Sequence, residues 1–161
     1  MRIYKQNNVF DEALKRIRWL YDEFDDVVVS FSGGKDSVVV YELTLIVARE
    51  RNRLPLKVLF LDQEAELQAT IDLMEEVMTS DEVEPMWFQM PMKIFNATSS
   101  DDPWIFCWDK DKEDVWMRPR VPYAITENVY GTDRFKAMFT AIMKHDFAPK
   151  SVNIGGVRGE E

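Results

Sequence analysis

Three nearly unbroken apolar runs, each followed by a segment of helical periodicity, limit the fold of this chain more than any other feature. The runs lie at residues 27–31, 56–61 and 85–90. A strand without regularly alternating polar residues is buried on both faces, as in parallel sheets that carry helices on each side. With right-handed crossovers, these runs predict an α/β fold, a three-layer Rossmann-like parallel sheet with helices on both faces.

Apolar residues at helical spacing predict four helices around these strands, the last with Thr132 as its N-cap. The predicted helices cover residues 10–24, 37–51, 66–79 and 133–147. The side chains expected to face inward are Phe10, Leu14, Ile17, Leu20, Tyr21, Phe24, Val38, Tyr41, Leu45, Ala48, Leu67, Ile71, Met74, Met78, Phe135, Met138, Phe139, Ile142 and Met143.

Size and charge narrow the class of protein. The 161 residues suit one domain over residues 1–161. The chain has 20 Lys and Arg against 29 Asp and Glu, a net charge of −9, which argues against general nucleic-acid binding. Its single cysteine excludes an internal disulfide and a cysteine zinc cluster, and it suits a cytoplasmic protein. No apolar run approaches membrane-spanning length, so no membrane partner is expected.

Residues 92–131 form a segment without sustained periodicity, rich in proline, tryptophan and acidic residues. Long structureless segments are uncommon in compact domains, so we expect this insert to be ordered against a partner surface. Its tryptophans (Trp104, Trp108 and Trp116) favour packing over base stacking. Arg118 and Arg120 flank a proline and could form a small basic spot.

The segment that carries chemistry is Ser32-Gly-Gly-Lys-Asp-Ser37, between the first predicted strand and the second predicted helix. The start of a helix has unpaired N–H donors and a partial positive charge, and adjacent glycines let the backbone approach an anion closely. Lys35 adds a full charge, and Ser32 and Ser37 add hydroxyl donors. The pattern predicts a phosphate-binding loop, although its spacing fits neither the Walker P-loop nor the dinucleotide fingerprint.

At its other end the chain stops soon after a predicted fourth strand, at residues 151–154. That strand would bring Gly155-Gly-Val-Arg158 to the same carboxyl edge of the sheet as the loop. A domain rarely stops where its next helix should begin, so the sequence favours a fragment of a longer chain. A missing C-terminal region or a protein partner would then complete the site.

The six-residue loop resembles the signature of the PP-loop ATP pyrophosphatases. Over most of its length, and most sharply at residues 30–37, 59–65 and 154–161, the chain resembles the branch of that superfamily that is similar to phosphoadenosine phosphosulfate (PAPS) reductases. More narrowly it resembles phage and bacterial PAPS sulfurtransferases, the group that includes immunoglobulin-binding regulators of enterobacteria. This resemblance implies an adenine nucleotide alpha-hydrolase-like fold and a ligand that is either ATP or PAPS.

The resemblance also implies roles for individual residues. Asp62 and its neighbours would line the adenosine pocket, and Gly156 and Arg158 would meet the phosphate or sulfonate end. Lys35 and Arg158 would be the catalytic cations. If ATP is the substrate, Asp36 is the best placed carboxylate for Mg²⁺. The residues expected to hold the phosphates or sulfate are Ser30, Ser32, Gly33, Gly34, Lys35, Asp36 and Ser37.

Two functions remain open from the sequence. One is an enzyme that acts on PAPS, or on ATP at the α-phosphate with release of pyrophosphate. Assimilatory PAPS reductases use a cysteine in a C-terminal Glu-Cys-Gly-Leu-His motif, which this chain does not contain. Its one thiol, Cys107, is expected to be a small buried hydrophobe. The alternative is therefore a nucleotide-sensing, regulatory or assembly module without turnover.

Overall fold

The chain forms an alternating series of helices and strands, which the computed structural model describes over residues 8–157. A short 3₁₀ helix, Lys110–Val115, lies in the second half. The helices are α1 Val9–Glu23, α2 Lys35–Glu50, α3 Gln68–Met78 and α4 Phe135–Asp146. The strands are β1 Asp26–Ser30, β2 Leu56–Leu61, β3 Val83–Phe88, β4 Met92–Phe95, β5 Trp104–Cys107 and β6 Ser151–Gly155.

The central sheet is parallel and has the strand order β3-β2-β1-β6. From β1 the chain steps outward to β2 and β3, and it then returns to the opposite side of β1 to form β6. The strand order therefore reverses between β1 and β6, and open α/β sheets bind ligands at the carboxyl end of such a crevice. The predicted Rossmann-like architecture is confirmed.

Both faces of the sheet are covered, because alternate residues of each strand enter different cores. Val29 and Val58 pack with α2 and α3 on one face. Val28 and Leu59 pack with α4 and the 92–131 insert on the other. These four side chains are at most 1% exposed, and burial of a valine or leucine side chain contributes about 1.5–3 kcal/mol. The run of apolar residues in each strand follows from this two-sided burial.

The third strand differs from its predicted bounds, since it covers Val83–Phe88 rather than residues 85–90. Pro85 lies inside it, opposite Val58. A proline has no N–H to donate, and it is tolerated here because β3 is the edge strand of the central sheet. The predicted run extends past the end of the strand because the next two residues, Gln89 and Met90, are also buried.

The sequence also predicted the first residues of three helices incorrectly. Arg134, not Thr132, is the N-cap of α4, and the Thr132 hydroxyl accepts a hydrogen bond from the Arg134 N–H at 3.3 Å. Leu67 is the N-cap of α3 and is 77% exposed, and Phe10 on α1 is 53% exposed. Periodicity places a residue on a face of a helix, but the faces of these first turns have no sheet beside them.

The insert is ordered and packs against the rest of the chain, and the expected partner surface stays a prediction. It contains the antiparallel hairpin β4–β5 and the 3₁₀ helix. Trp108 is fully buried in the core that also holds Met138 and Ile142 of α4. Its indole N–H donates to the Asp62 backbone carbonyl at 2.9 Å. Trp108 is therefore a packing anchor, as the sequence predicted.

Among the helices of the described range, none combines the length and the apolar character that a bilayer crossing would need.

Candidate functional site

The loop between β1 and α2 has the backbone that its glycines indicate. Gly33 has a φ of +71°, in the left-handed region, and a Cβ there would lie 2.8 Å from Thr70 Cγ2. Gly34 is the N-cap of α2 and has no side chain that could satisfy the first N–H groups of the helix. These donors at the start of α2 form a natural place for an anion.

Ser37 holds the loop closed from within α2. Its hydroxyl donates to the Gly34 carbonyl at 2.8 Å and accepts from the Ser32 N–H at 3.3 Å. The Ser32 hydroxyl lies 3.2 Å from the same oxygen. Ser37 is only 4% exposed, whereas Ser32 and Lys35 are exposed. The two serines therefore differ, since Ser37 shapes the loop and Ser32 faces outward beside Lys35.

The end of β6 lies directly against the start of α2. A Cβ on Gly156 would be 2.6 Å from both the Asp36 carbonyl carbon and the Ser37 nitrogen. Ser30, at the end of β1, donates a hydrogen bond to Asn153 of β6 at 2.8 Å. The structure thus brings Gly156 to the loop. Arg158, the second predicted catalytic cation, lies outside the described residues.

A cavity of about 220 Å³ opens where β1, β2 and β6 end. Four of the predicted site residues line it, namely Ser30, Ser32, Ser37 and Gly156. Apolar side chains from β2 and α4 form much of the remaining wall. We call this space the loop cavity.

Gln63 and Glu66 also line the loop cavity. Gln63 is one of the neighbours of Asp62 expected in the adenosine pocket, whereas Glu66 was not selected from the sequence. Burial raises the pKa of Glu66, the negative charge of Asp62 adds to the rise, and Arg118 opposes it. The available signal was their position just after the end of β2, at the carboxyl edge of the sheet. A carboxylate with a raised pKa in a cavity is a candidate functional group.

Asp62 does not contact this cavity, which corrects its predicted role in the adenosine pocket. It is fully buried and forms an ion pair with Arg118. Its Oδ2 atom also accepts from Trp87 Nε1 at 2.7 Å and from Gln89 Nε2 at 2.9 Å. Its Oδ1 atom accepts from the Glu64 N–H at 2.8 Å. The carboxylate is fully used inside the fold, so it is not available to a ligand.

The turn after β2, which contains Asp62 and Glu64, also attaches the insert to the sheet. Glu64 has a φ of +68°, and its carboxylate accepts from the Trp108 N–H at 2.6 Å. Arg118 donates to the Glu64 carbonyl as well as to Asp62. The guanidinium of Arg120 lies 4.3 Å from the centroid of the Trp116 ring. The guanidinium groups of Arg118 and Arg120 lie 5.2 and 5.8 Å from the centroid of the Trp108 ring, so they do form a small basic spot, although Arg118 is paired with Asp62.

Cys107 is 2% exposed at the end of β5. Burial raises the pKa of its thiol to about 12, and the nearby charges of Glu64, Asp62 and Glu66 add to this effect. A thiol of this kind remains protonated near neutral pH and is a poor nucleophile. The expectation that Cys107 is a small buried hydrophobe is confirmed.

The metal prediction rests on Asp36 alone. Asp36 lies in the first turn of α2, beside the loop. Residues 8–157 contain no group of three or more His, Cys, Asp or Glu side chains that could hold a metal ion. A role for Asp36 would therefore depend on oxygen ligands from a bound nucleotide, and it stays a prediction.

Comparison with known proteins identifies a family that part of the chain resembles. Residues 26–102 match the model of the family described as phosphoadenosine phosphosulfate reductase domain. This part of the chain is similar to the PAPS reductase-like family, as its sequence predicted. It is similar to "Uncharacterized protein YbdN" of Escherichia coli (strain K12), with 35% identity over 133 residues. The match covers 79% of this chain and 32% of YbdN, so the chain spans about a third of that relative's length. No solved structure matches the chain.

Proposed function

We propose that the loop cavity binds an adenine nucleotide or a sulfonucleotide, with the phosphate or sulfate end on residues 32–37. One observation carries this proposal. The start of α2, through Ser37, and the end of β6, through Gly156, line a single cavity, and Gly34 is the N-cap of α2 beside it. Helix N–H groups without a capping side chain favour an anion, and the exposed Lys35 ammonium adds a full positive charge.

Two reactions suit such a site, and the description of the matched family favours PAPS. With PAPS, a thiolate sulfur attacks the sulfonate sulfur, an S–S bond forms, and the S–O bond to the phosphate breaks. With ATP, a nucleophile attacks the α-phosphorus, and the bond to the β-phosphate breaks to release pyrophosphate. In both cases Lys35 and the loop N–H groups stabilise the negative charge of the phosphate or sulfate group. We assign the same role to Arg158.

The thiol for the PAPS reaction would come from outside the described residues, because Cys107 is buried and its pKa is raised. A thioredoxin-like partner or another part of a longer protein could supply it. With ATP, Asp36 would share Mg²⁺ with the phosphates, and the ion would supply charge neutralisation.

Glu66 and Gln63 have a different task in this proposal. An ionised carboxylate beside a phosphate is unfavourable unless it accepts a hydrogen bond or shares a cation. We assign both side chains to the hydroxyl groups of the ribose, which can donate to the Glu66 carboxylate and to the Gln63 amide oxygen. The raised pKa of Glu66 fits a group that works in a partly dry cavity.

A second function, nucleotide sensing without turnover, is favoured by one specific observation. The only thiol of the chain is buried, so within this chain a sulfur transfer has no nucleophile of its own. In that case the domain would bind its nucleotide and pass the signal to a protein partner. The same binding site serves both functions, and only turnover separates them.

Calorimetry with ATP, AMP and PAPS tests the proposal. We expect binding by the natural chain and affinity at least about tenfold weaker in Lys35→Ala, because a charge-assisted contact is worth about 1.5–3 kcal/mol. Lys15→Ala, on the exposed face of α1, is the matched control and should bind normally. Failure of all three nucleotides to bind would overturn the proposal. Sulfite release from PAPS with an added thioredoxin-like dithiol, or pyrophosphate release from ATP, would then separate the enzyme from the sensor.

A further inference from the structure

A second, larger cavity lies between the β4–β5 hairpin and the start of α4. Its volume is about 660 Å³, against about 220 Å³ for the loop cavity. Small-molecule sites in proteins occupy roughly 300–1,000 Å³, so this hairpin cavity is large enough for a ligand of its own. Of the described residues predicted from the sequence to bind the nucleotide, only Gln63, a neighbour of Asp62, lines it.

The two cavities are neighbours. Gln63 and Phe135 line both of them. A ligand in the hairpin cavity would therefore be separated from a nucleotide in the loop cavity by the width of these two side chains.

The walls of the hairpin cavity combine aromatic rings with cations. Trp104 lines it, with Lys93 Nζ 5.3 Å and Arg134 Cζ 5.4 Å from the centroid of its ring. Phe95 packs edge-on against Trp104 at 6.0 Å and is itself 67% exposed. Lys136 adds a third cation to the wall. This composition stands out in a chain whose net charge is −9.

These cations are only partly neutralised. Lys93 forms an ion pair with Asp133 at 2.7 Å. Within residues 8–157, the guanidinium of Arg134 contacts the Trp104 ring but forms no ion pair. A cation without an ion-pair partner beside the exposed Phe95 ring and the half-buried Trp104 ring favours a ligand that is both flat and negatively charged, because the rings contact its flat part while the cation binds the anion.

We propose that the hairpin cavity is a second ligand site, for an aromatic anion that binds beside the nucleotide. The proposal rests on the proposed function only for the identity of the neighbouring ligand. The ring of the aromatic anion lies against Trp104 and Phe95, and its charged group lies at Arg134 and Lys136. This arrangement gives the domain two adjacent sites with different chemistry, a loop for the phosphate or sulfate end of a nucleotide and an aromatic, basic pocket.

Three probes separate the two contributions to binding: 1-naphthyl phosphate, the neutral 1-naphthol and inorganic phosphate. We expect 1-naphthyl phosphate to bind at least about tenfold more tightly than either of the others, since it alone uses both the rings and the cations. Quenching of tryptophan fluorescence and calorimetry report the binding. Equal affinity for 1-naphthol and 1-naphthyl phosphate would overturn the proposal.

Substitutions in the hairpin cavity test whether 1-naphthyl phosphate binds there. Arg134→Gln and Trp104→Leu are each expected to weaken 1-naphthyl phosphate binding at least about tenfold. Arg16→Gln, an exposed arginine of α1, is the matched control and should leave the affinity within about twofold. Arg134 is exposed, so its variant keeps the test valid even if Trp104→Leu disturbs the hairpin.

Lys35→Ala distinguishes this proposal from the proposed function. If it weakens ATP or PAPS binding but leaves 1-naphthyl phosphate binding unchanged, two separate sites exist. If 1-naphthyl phosphate binding is lost in Lys35→Ala and retained in Arg134→Gln, the probe occupies the loop cavity and the second site is refuted. If 1-naphthyl phosphate binds through Arg134 and no nucleotide binds, the proposed function fails and this inference stands.

Discussion

Gly156 packs against the backbone of Ser37 so closely that a Cβ would lie 2.6 Å from the Ser37 nitrogen. We therefore predict that Gly156→Ala pushes β6 away from the start of α2, lowering the free energy of unfolding by about 1–3 kcal/mol and weakening nucleotide binding. Gly155→Ala is the control, since its Cβ would meet only Val157 Cγ2 at 4.0 Å. Urea titration and calorimetry measure both effects. Equal behaviour of the two variants would contradict the prediction.

The two loop glycines should also respond differently to substitution. Gly33 has a φ of +71° and its Cβ would lie 2.8 Å from Thr70 Cγ2, whereas Gly34 is extended and its Cβ would lie 3.6 Å from Ser32 Oγ. Gly33→Ala is expected to cost about 1–2 kcal/mol in backbone strain, with further loss from the contact with Thr70. Gly34→Ala should cost less. Thermal unfolding of the two variants measures which one loses more stability. A larger loss in Gly34→Ala than in Gly33→Ala would contradict the prediction.

The buried pair Asp62–Arg118 predicts a strong non-additive effect on stability. Removing one partner leaves a buried charge, so Asp62→Ala and Arg118→Ala should each lower the free energy of unfolding by about 3–5 kcal/mol. The double variant should lose less than the sum of the two. Glu50→Ala, which breaks the exposed pair with Arg18, is the control, and it should lower the free energy of unfolding far less than either buried variant. Additive losses in the double variant would show that the pair does not act as a unit.

Glu66→Gln is predicted to stabilise the protein at neutral pH while it weakens nucleotide binding. The pKa of Glu66 is raised by burial in the folded state, so the folded state holds its proton more firmly than the unfolded state. Stability then falls as the pH rises from the ordinary glutamate pKa through the raised one. Below that window the natural chain and the variant should be equally stable, and above it the variant should be more stable. Urea titrations across this pH range measure the difference, and a constant difference would contradict the assignment.

Cys107 should resist alkylation in the folded protein. Its thiol is 2% exposed and its pKa is raised to about 12. Reaction with iodoacetamide at pH 8 should therefore be at least about 100-fold slower than in urea, where the thiol is exposed. Mass spectrometry measures the modified fraction, with Cys107→Ser as the blank. Fast labelling of the folded chain would restore Cys107 as a candidate nucleophile.

The sequence by itself determined the parts of this protein that depend on neighbours along the chain. The apolar run at Leu56–Leu61 predicted β2 at its observed bounds, since burial on both faces leaves no alternating pattern. The loop was also predictable, because the left-handed conformation of Gly33 and the glycine N-cap at Gly34 are local properties. The similarity to the PAPS reductase-like family was predictable from the same short motifs.

Only the tertiary structure decided which polar groups face the loop cavity. Asp62 and Glu66 are four residues apart, yet one is consumed by a buried network and the other lines the cavity. The choice depends on Arg118, which is 56 residues from Asp62 in sequence. Desolvation makes an unpaired buried carboxylate costly, so the partner that reaches Asp62 fixes its role. Arg118 belongs to an insert with no periodic pattern. A contact between residues so far apart in sequence cannot be predicted from the residues around Asp62.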